Sequence, residues 1–138
     1  MEYSQELRVL YGDTDAYGVV WHGSYTKWLE LARTEAFESL LGLSLSELEA
    51  KNIMFPVTEM NIRYKSAARL HEILVLKTYV SDLNPYCVTF ETKITNKETG
   101  ALRVVAHVTI AITEANTGKL YRRMPEELYN NFKEGLKN

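Results

Sequence analysis

The stretch from Leu10 to Arg33, LYGDTDAYGVVWHGSYTKWLELAR, constrains this chain more than any other. It leaves a strand, turns through a loop holding two carboxylates and two glycines, and enters what reads as the longest helix. Gly12 and Gly18 admit backbone angles that a Cβ resists, so the loop can turn sharply. Asp13 and Asp15 stand just ahead of the helix. That helix is expected to begin between His22 and Ser24 and to run to about Leu41, with Gly42 as its C-terminal glycine. Its apolar stripe reads Tyr25, Trp28, Leu29, Ala32, Ala36, Phe37 and Leu40. A helix N-terminus offers unpaired N–H groups and a partial positive charge. A carboxylate beside such donors is half of a hydrolytic site. The donors hold a developing oxyanion, and the carboxylate activates water or attacks directly.

The rest of the chain narrows the class. At 138 residues it is long enough for one domain with one sizeable core. Apolar residues at 46% and charged residues at 25% are ordinary for a globular chain and argue against disorder. A formal charge of −2 lacks the basic surplus of nucleic-acid binders, and no helix-turn-helix or basic extension is visible. The N-terminus, MEYSQELRVLYGD, shows no basic segment followed by an apolar run. No stretch approaches the ~18 apolar residues of a membrane span. A cytoplasmic chain with neither signal peptide nor membrane span is therefore expected. Cys87, the single cysteine, reads as packed rather than reactive. His22, His71 and His107 lie far apart with no ligand spacing, so no metal site is expected.

Taken in order, Tyr3 to Tyr11 reads as a first strand with Tyr3, Leu7, Val9 and Tyr11 on one parity. After the helix, Ser44 or Ser46 with Glu47 or Glu49 signals a short capped helical turn ending near Asn52. Met54-Phe55-Pro56 looks like the entry to a second strand, continued by Met60, Ile62 and Tyr64. Further strands are read at 73–81, 86–94 and 102–112, with a weak turn signal at Ala67-Ala68-Arg69, one at Asn84-Pro85 and a strong one at Asn96 to Gly100. Pro125 opens a last short helix with Leu128, Phe132 and Leu136 at four-residue spacing. Strand, long helix, four consecutive strands and short helix make an α+β protein whose antiparallel sheet is covered by the long helix.

The run from Tyr11 to His22, with Tyr25, Glu30, Ala32 and Arg33 after it, resembles the acyl-CoA thioesterases of the 4-hydroxybenzoyl-CoA thioesterase and YbgC type. Their pattern is an aromatic residue, D-T-D-x-x-G-V-V, an aromatic and His or Asn, then a tyrosine and an acidic residue shortly before Arg. The match is dense over about 25 residues, and a weaker likeness covers Tyr64 to Leu70 and Arg123-Met124-Pro125. The resemblance implies a hotdog fold, one long helix wrapped by a curved antiparallel sheet of about five strands. It also implies homodimers that can pair into tetramers, and thioester hydrolysis with no metal or organic cofactor. Asp15 matches the catalytic carboxylate. The backbone N–H near Trp21-His22 matches the group that polarises the thioester carbonyl, and His22 matches a position usually held by His, Asn or Tyr. Two departures stand out: Ala67 and His71 replace the frequent Pro and Asp, and the basic cluster of the aryl-CoA branch is missing near Asn84-Pro85.

Asp13, by contrast, reads as a turn residue capped by backbone donors. Trp21 and Tyr25 read as core or pocket walls. Glu30 reads either as a polar group in the acyl pocket or, preferably, as an ion-pair partner of Arg33 or Lys27. Arg63, Lys65, Arg69, Arg122 and Arg123 are candidates for the CoA phosphates, each also readable as a solvated charge. The expected substrate is a thioester of CoA or of acyl carrier protein. A hydrolase for an aromatic acyl-CoA and a non-catalytic acyl-thioester-binding scaffold are the alternatives, and Asp15 weighs against the scaffold.

Overall fold

The computed structural model describes residues 2–136. The chain runs β1 (Tyr3–Arg8), α1 (His22–Leu41), α2 (Leu45–Ala50), β2 (Ile53–Met54), β3 (Val57–Tyr64), β4 (Ile73–Asn84), β5 (Cys87–Asn96), β6 (Leu102–Ala111), β7 (Thr113–Glu114) and α3 (Glu126–Glu134). β1 stops at Arg8, short of the expected Tyr11, because Tyr11–Asp13 winds into a single 3₁₀ turn. The Asp13 carboxylate fastens that turn by accepting the Leu10 N–H at 2.8 Å.

α1 begins at His22 and closes on Gly42, whose φ of 66° is the left-handed conformation that glycine adopts most readily. Ser44 caps α2, its Oγ accepting the Glu47 N–H at 3.1 Å while the Glu47 carboxylate accepts the Ser44 N–H at 3.4 Å. The buried stripe of α1 is the expected one except at its end, where Leu41 is buried and Leu40 is only partly so. The N-terminal half of α1 packs Tyr25, Trp28, Leu29 and Ala32 on Leu74, Leu76, Ile94 and Val104. Its C-terminal half packs Ala36, Phe37 and Leu41 on Val80, Phe90 and Phe132, the last from α3.

The main sheet has five strands in the order β1-β4-β5-β6-β3, and all its pairings are antiparallel. Here the structure corrects the expectation of consecutive pairing. β3 does not hairpin onto β4. It pairs with β6, Tyr64 opposite Val104, and residues 65–72 carry the chain across to the other half of the sheet. The Arg103 carbonyl takes the Lys65 N–H at 2.8 Å and the Ser66 N–H at 3.3 Å, so the chain leaves β3 still attached to β6. It arrives beside β1 through His71, at φ 72°, whose N–H donates to the Val9 carbonyl at 3.0 Å. β6 is therefore interior, and the sheet edges are β1 and β3.

Candidate active site

The loop ahead of α1 is a small hairpin. The Trp21 N–H donates to the Asp13 carbonyl at 2.9 Å, Thr14 bridges Val20, and the Asp15 N–H donates to the Val19 carbonyl at 2.8 Å. The tip closes where the Gly18 N–H reaches the Asp15 carbonyl at 3.1 Å, with Gly18 at φ 75°. At this tip Asp15 Oδ1 accepts the Tyr17 N–H at 2.8 Å. Among the described residues no donor meets Asp15 Oδ2. One carboxylate oxygen holds the turn and the other is left open. The expected backbone cap on Asp13 is the bond from Leu10, and its carbonyl also takes the Ser24 hydroxyl at 2.9 Å.

The helix start departs from the sequence expectation in one respect. The Trp21 N–H is already spent on Asp13, so the amides left without an acceptor among the described residues are those of His22 and Gly23. They are the orphan donors of a helix N-terminus. The Trp21 indole lies against Gly23: a Cβ there would stand 2.3 Å from its Cη2 and Cζ3. Glycine is required for this ring to lie beside the free amides.

A hollow of about 220 Å³ opens beside the helix start, between His22, Tyr25, Tyr64, Lys65, Ser66 and Ala67. The Tyr64 hydroxyl donates to the His22 carbonyl at 3.4 Å, and the Tyr25 and Tyr64 rings pack at 5.7 Å. Burial raises the Tyr25 hydroxyl above its ordinary pKa of 10.0, partly offset by the Ala68 N–H that it accepts at 3.3 Å. His22, Tyr25 and Lys65 thus share one cavity. Arg69 is exposed in the crossover, and its neighbour Ala68 accepts the Val20 N–H at 2.8 Å.

The other candidates lie elsewhere. Arg63 alternates with the inward-packed Ile62 and faces away from α1. Arg122 and Arg123 are exposed beside Met124, whose N–H bonds Pro85, at the end of the sheet opposite His22. Glu30 forms no ion pair with Arg33 or Lys27 within 4.0 Å among the described residues, contrary to the preferred reading. It lines a separate hollow of about 150 Å³ with Arg33, Thr34, Phe37 and Phe55. Burial lowers the pKa of Arg33, which Glu30 partly offsets, and Arg33 Nη1 is buried without a partner among the described residues. Sequence reasoning missed Ser24, Gly23, Ser66, Glu72 and Arg103 as parts of the site's frame; none carries a spacing signal, because each acts through a fold-dependent contact. Among the described residues no group of His, Cys, Asp and Glu could hold a metal ion, and no helix is long and apolar enough to cross a membrane.

The model of the thioesterase-like superfamily matches residues 9–132. The chain belongs to this family. Within it, the chain is 30% identical over 128 residues to the acyl-CoA thioester hydrolase YbgC of Escherichia coli O6:H1, covering 93% of each chain. It is 37% identical over 92 residues to the acyl-CoA thioesterase YbgC of Haemophilus influenzae, covering 67% of this chain and 68% of that one. The structure of a DHNA-CoA thioesterase from Staphylococcus aureus superposes with a TM-score of 0.80 at 30% identity, covering 88% of this chain and 80% of that one. The five-stranded sheet under one long helix is the hotdog fold, and this YbgC-like member is a thioester hydrolase.

Proposed function

We propose that the chain hydrolyses acyl-CoA thioesters, with Asp15 and the amides of His22 and Gly23 as its reacting groups. The observation that carries this is the hairpin joining them: among the described residues Asp15 Oδ2 meets no donor, and the His22 and Gly23 amides meet no acceptor where the hairpin enters α1 through Trp21. The carbonyl oxygen of the thioester is bound by the amides, which are aimed at the charge that develops on it. Asp15 then takes a proton from water as the water oxygen bonds the carbonyl carbon. Collapse of the tetrahedral adduct breaks the carbon–sulfur bond and expels CoA thiolate, a leaving group that needs no strong general acid. Direct attack by Asp15 would instead give a mixed anhydride that water cleaves. Both routes need an ionised Asp15. Lys65, in the same hollow, is the cation best placed within the chain for the CoA phosphates; Arg122 and Arg123 serve this role only from a second chain.

Release of free thiol from a panel of short, medium, long and aromatic acyl-CoAs tests the activity. On the best substrate, Asp15→Asn is expected to lower kcat by a factor on the order of 10² or more. Asn still accepts from the Tyr17 N–H, so folding and CoA affinity should hold. Wild-type turnover by this variant would refute the assignment.

An aromatic acyl group is the second reading. The likeness to the Staphylococcus aureus DHNA-CoA thioesterase favours it, as does the polar hollow at Glu30, Arg33 and Thr34. Preference for aromatic over straight-chain substrates in the same panel is the deciding outcome.

We also infer a homodimer. The edge available for it is β3, since the long apolar strand β6 is interior. β3 exposes Val57, Met60 and Tyr64 along an unpaired rim, and exposed apolar edges are normally paired or covered. Antiparallel pairing of two β3 strands brings the Tyr64 end of one chain, with His22, to the Val57 end of the other. Pairing of two dimers into a tetramer has a second apolar hollow to use, about 590 Å³ between Leu7, Leu10, Trp28 and Leu31.

A further inference from the structure

One side chain grips the β3–β4 crossover at both ends. Arg103 reaches from β6 so that Nη1 donates to Ser66 Oγ at 2.9 Å and Nη2 to Glu72 Oε1 at 2.7 Å. The Arg103 and Glu72 side chains are only 15% and 16% exposed. The middle of the crossover touches the thioester site at two points. The fully buried Ala68 accepts the Val20 N–H at 2.8 Å and donates its own N–H to the Tyr25 hydroxyl at 3.3 Å, and Arg69 bridges Val19. Val19 and Val20 are the arm of the hairpin between Asp15 and His22, and Tyr25 is in the first turn of α1.

We propose that Arg103 and Glu72 are positioning residues for thioester hydrolysis. They hold the crossover, and through Ala68 the crossover holds Asp15 at a fixed separation from the His22 and Gly23 amides. It rests on those groups being the reacting ones. A buried ion pair is weak evidence for stability, since an apolar pair of the same shape often serves as well. The guanidinium fork does what an apolar pair cannot: it fixes two points of one loop in a single orientation. Catalytic geometry is sensitive to such fixing, because a shift of about 1 Å can cost on the order of 10²-fold in rate.

The test measures kcat, KM and residue-resolved amide exchange for Arg103→Met, Arg103→Lys, Glu72→Gln and Ser66→Ala, with the exposed Lys97–Glu6 pair broken by Lys97→Met as control. For Arg103→Met we expect kcat to fall about tenfold or more with KM within threefold. Exchange at Val20 and Trp21 should quicken while Phe90 and Ile94 keep their protection. Arg103→Lys should be intermediate, since one ammonium cannot fork, and Ser66→Ala and Glu72→Gln should each cost less than Arg103→Met. Wild-type kcat in Arg103→Met overturns the proposal. So does exchange that rises evenly through β5 and β6, which is loss of stability alone. Should Arg103→Met fail to fold, Arg103→Lys and Glu72→Gln decide, and wild-type kcat in both overturns it. An inactive Asp15→Asn beside an unaffected Arg103→Met means that only the positioning role is wrong, whereas an active Asp15→Asn removes both.

Discussion

Two carboxylates in one short loop meet different demands. Asp13 is built into the frame: its side chain takes the Leu10 N–H, and its carbonyl takes the Trp21 N–H and the Ser24 hydroxyl. Asp13→Asn keeps an acceptor and loses only a charge, so kcat should stay within about threefold and stability should fall by about 1 kcal/mol, read by urea denaturation. If Asp13→Asn were dead and Asp15→Asn active, the two roles would be exchanged. Tyr25 makes a second residue-scale case. Tyr25→Phe strands the buried Ala68 N–H, at a cost of about 1–3 kcal/mol. The variant should also change the alkaline limb of stability. Burial raises the Tyr25 pKa above the unfolded value near 10.0, so its contribution is complete below pH 10 and is lost as pH rises through the folded value. Urea denaturation below and above that pH should find the alkaline loss reduced in Tyr25→Phe.

The start of α1 shows what an element contributes beyond its residues. Glycine is a poor helix former, yet position 23 needs it because the Trp21 ring occupies the space of a Cβ. Gly23→Ala favours the helix and drives the indole off. We expect unchanged or slightly raised melting temperature, red-shifted tryptophan emission and a kcat about tenfold lower, as water gains the amides that the ring lay beside. A variant with both the emission and the kcat of the parent would show that the ring has no part in the site. The elements themselves were legible, because the 3.6-residue stripe of α1 and the alternation of β4, β5 and β6 are set by burial on one face. Their pairing was not. Residues 65–72 carry no strong turn signal, and nothing local distinguishes a hairpin from a crossing of the sheet. The proposed Asp15 and helix-start amides lie in one contiguous motif, which is why sequence alone could put them side by side, although the Trp21 N–H is taken by Asp13. The cations were not legible, since Arg63 and Arg122 are separated from His22 by strand parity and by the length of the sheet.

At the scale of the molecule, the open β3 rim is the edge on which the inferred dimer rests. Light scattering should give at least twice the chain mass of 15.9 kDa. Met60→Lys puts a charge on that rim, the kind of residue that keeps natural edges apart, and should shift the mass toward one chain and lower activity with it. A 15.9 kDa species with full activity would remove the inferred dimer. The crossing at 65–72 also bears on how the chain is born. Tyr64 finds its partner, Val104, only after β4 and β5 have been made. At roughly 5–20 residues per second on the ribosome, β3 and the apolar stripe of α1 wait on the order of 2–10 s for their sheet. During that interval the nascent chain carries the proposed active site beside an exposed greasy helix. Holding by a chaperone, or slowed synthesis at the start of β4, would therefore alter soluble yield without changing any contact of the finished protein.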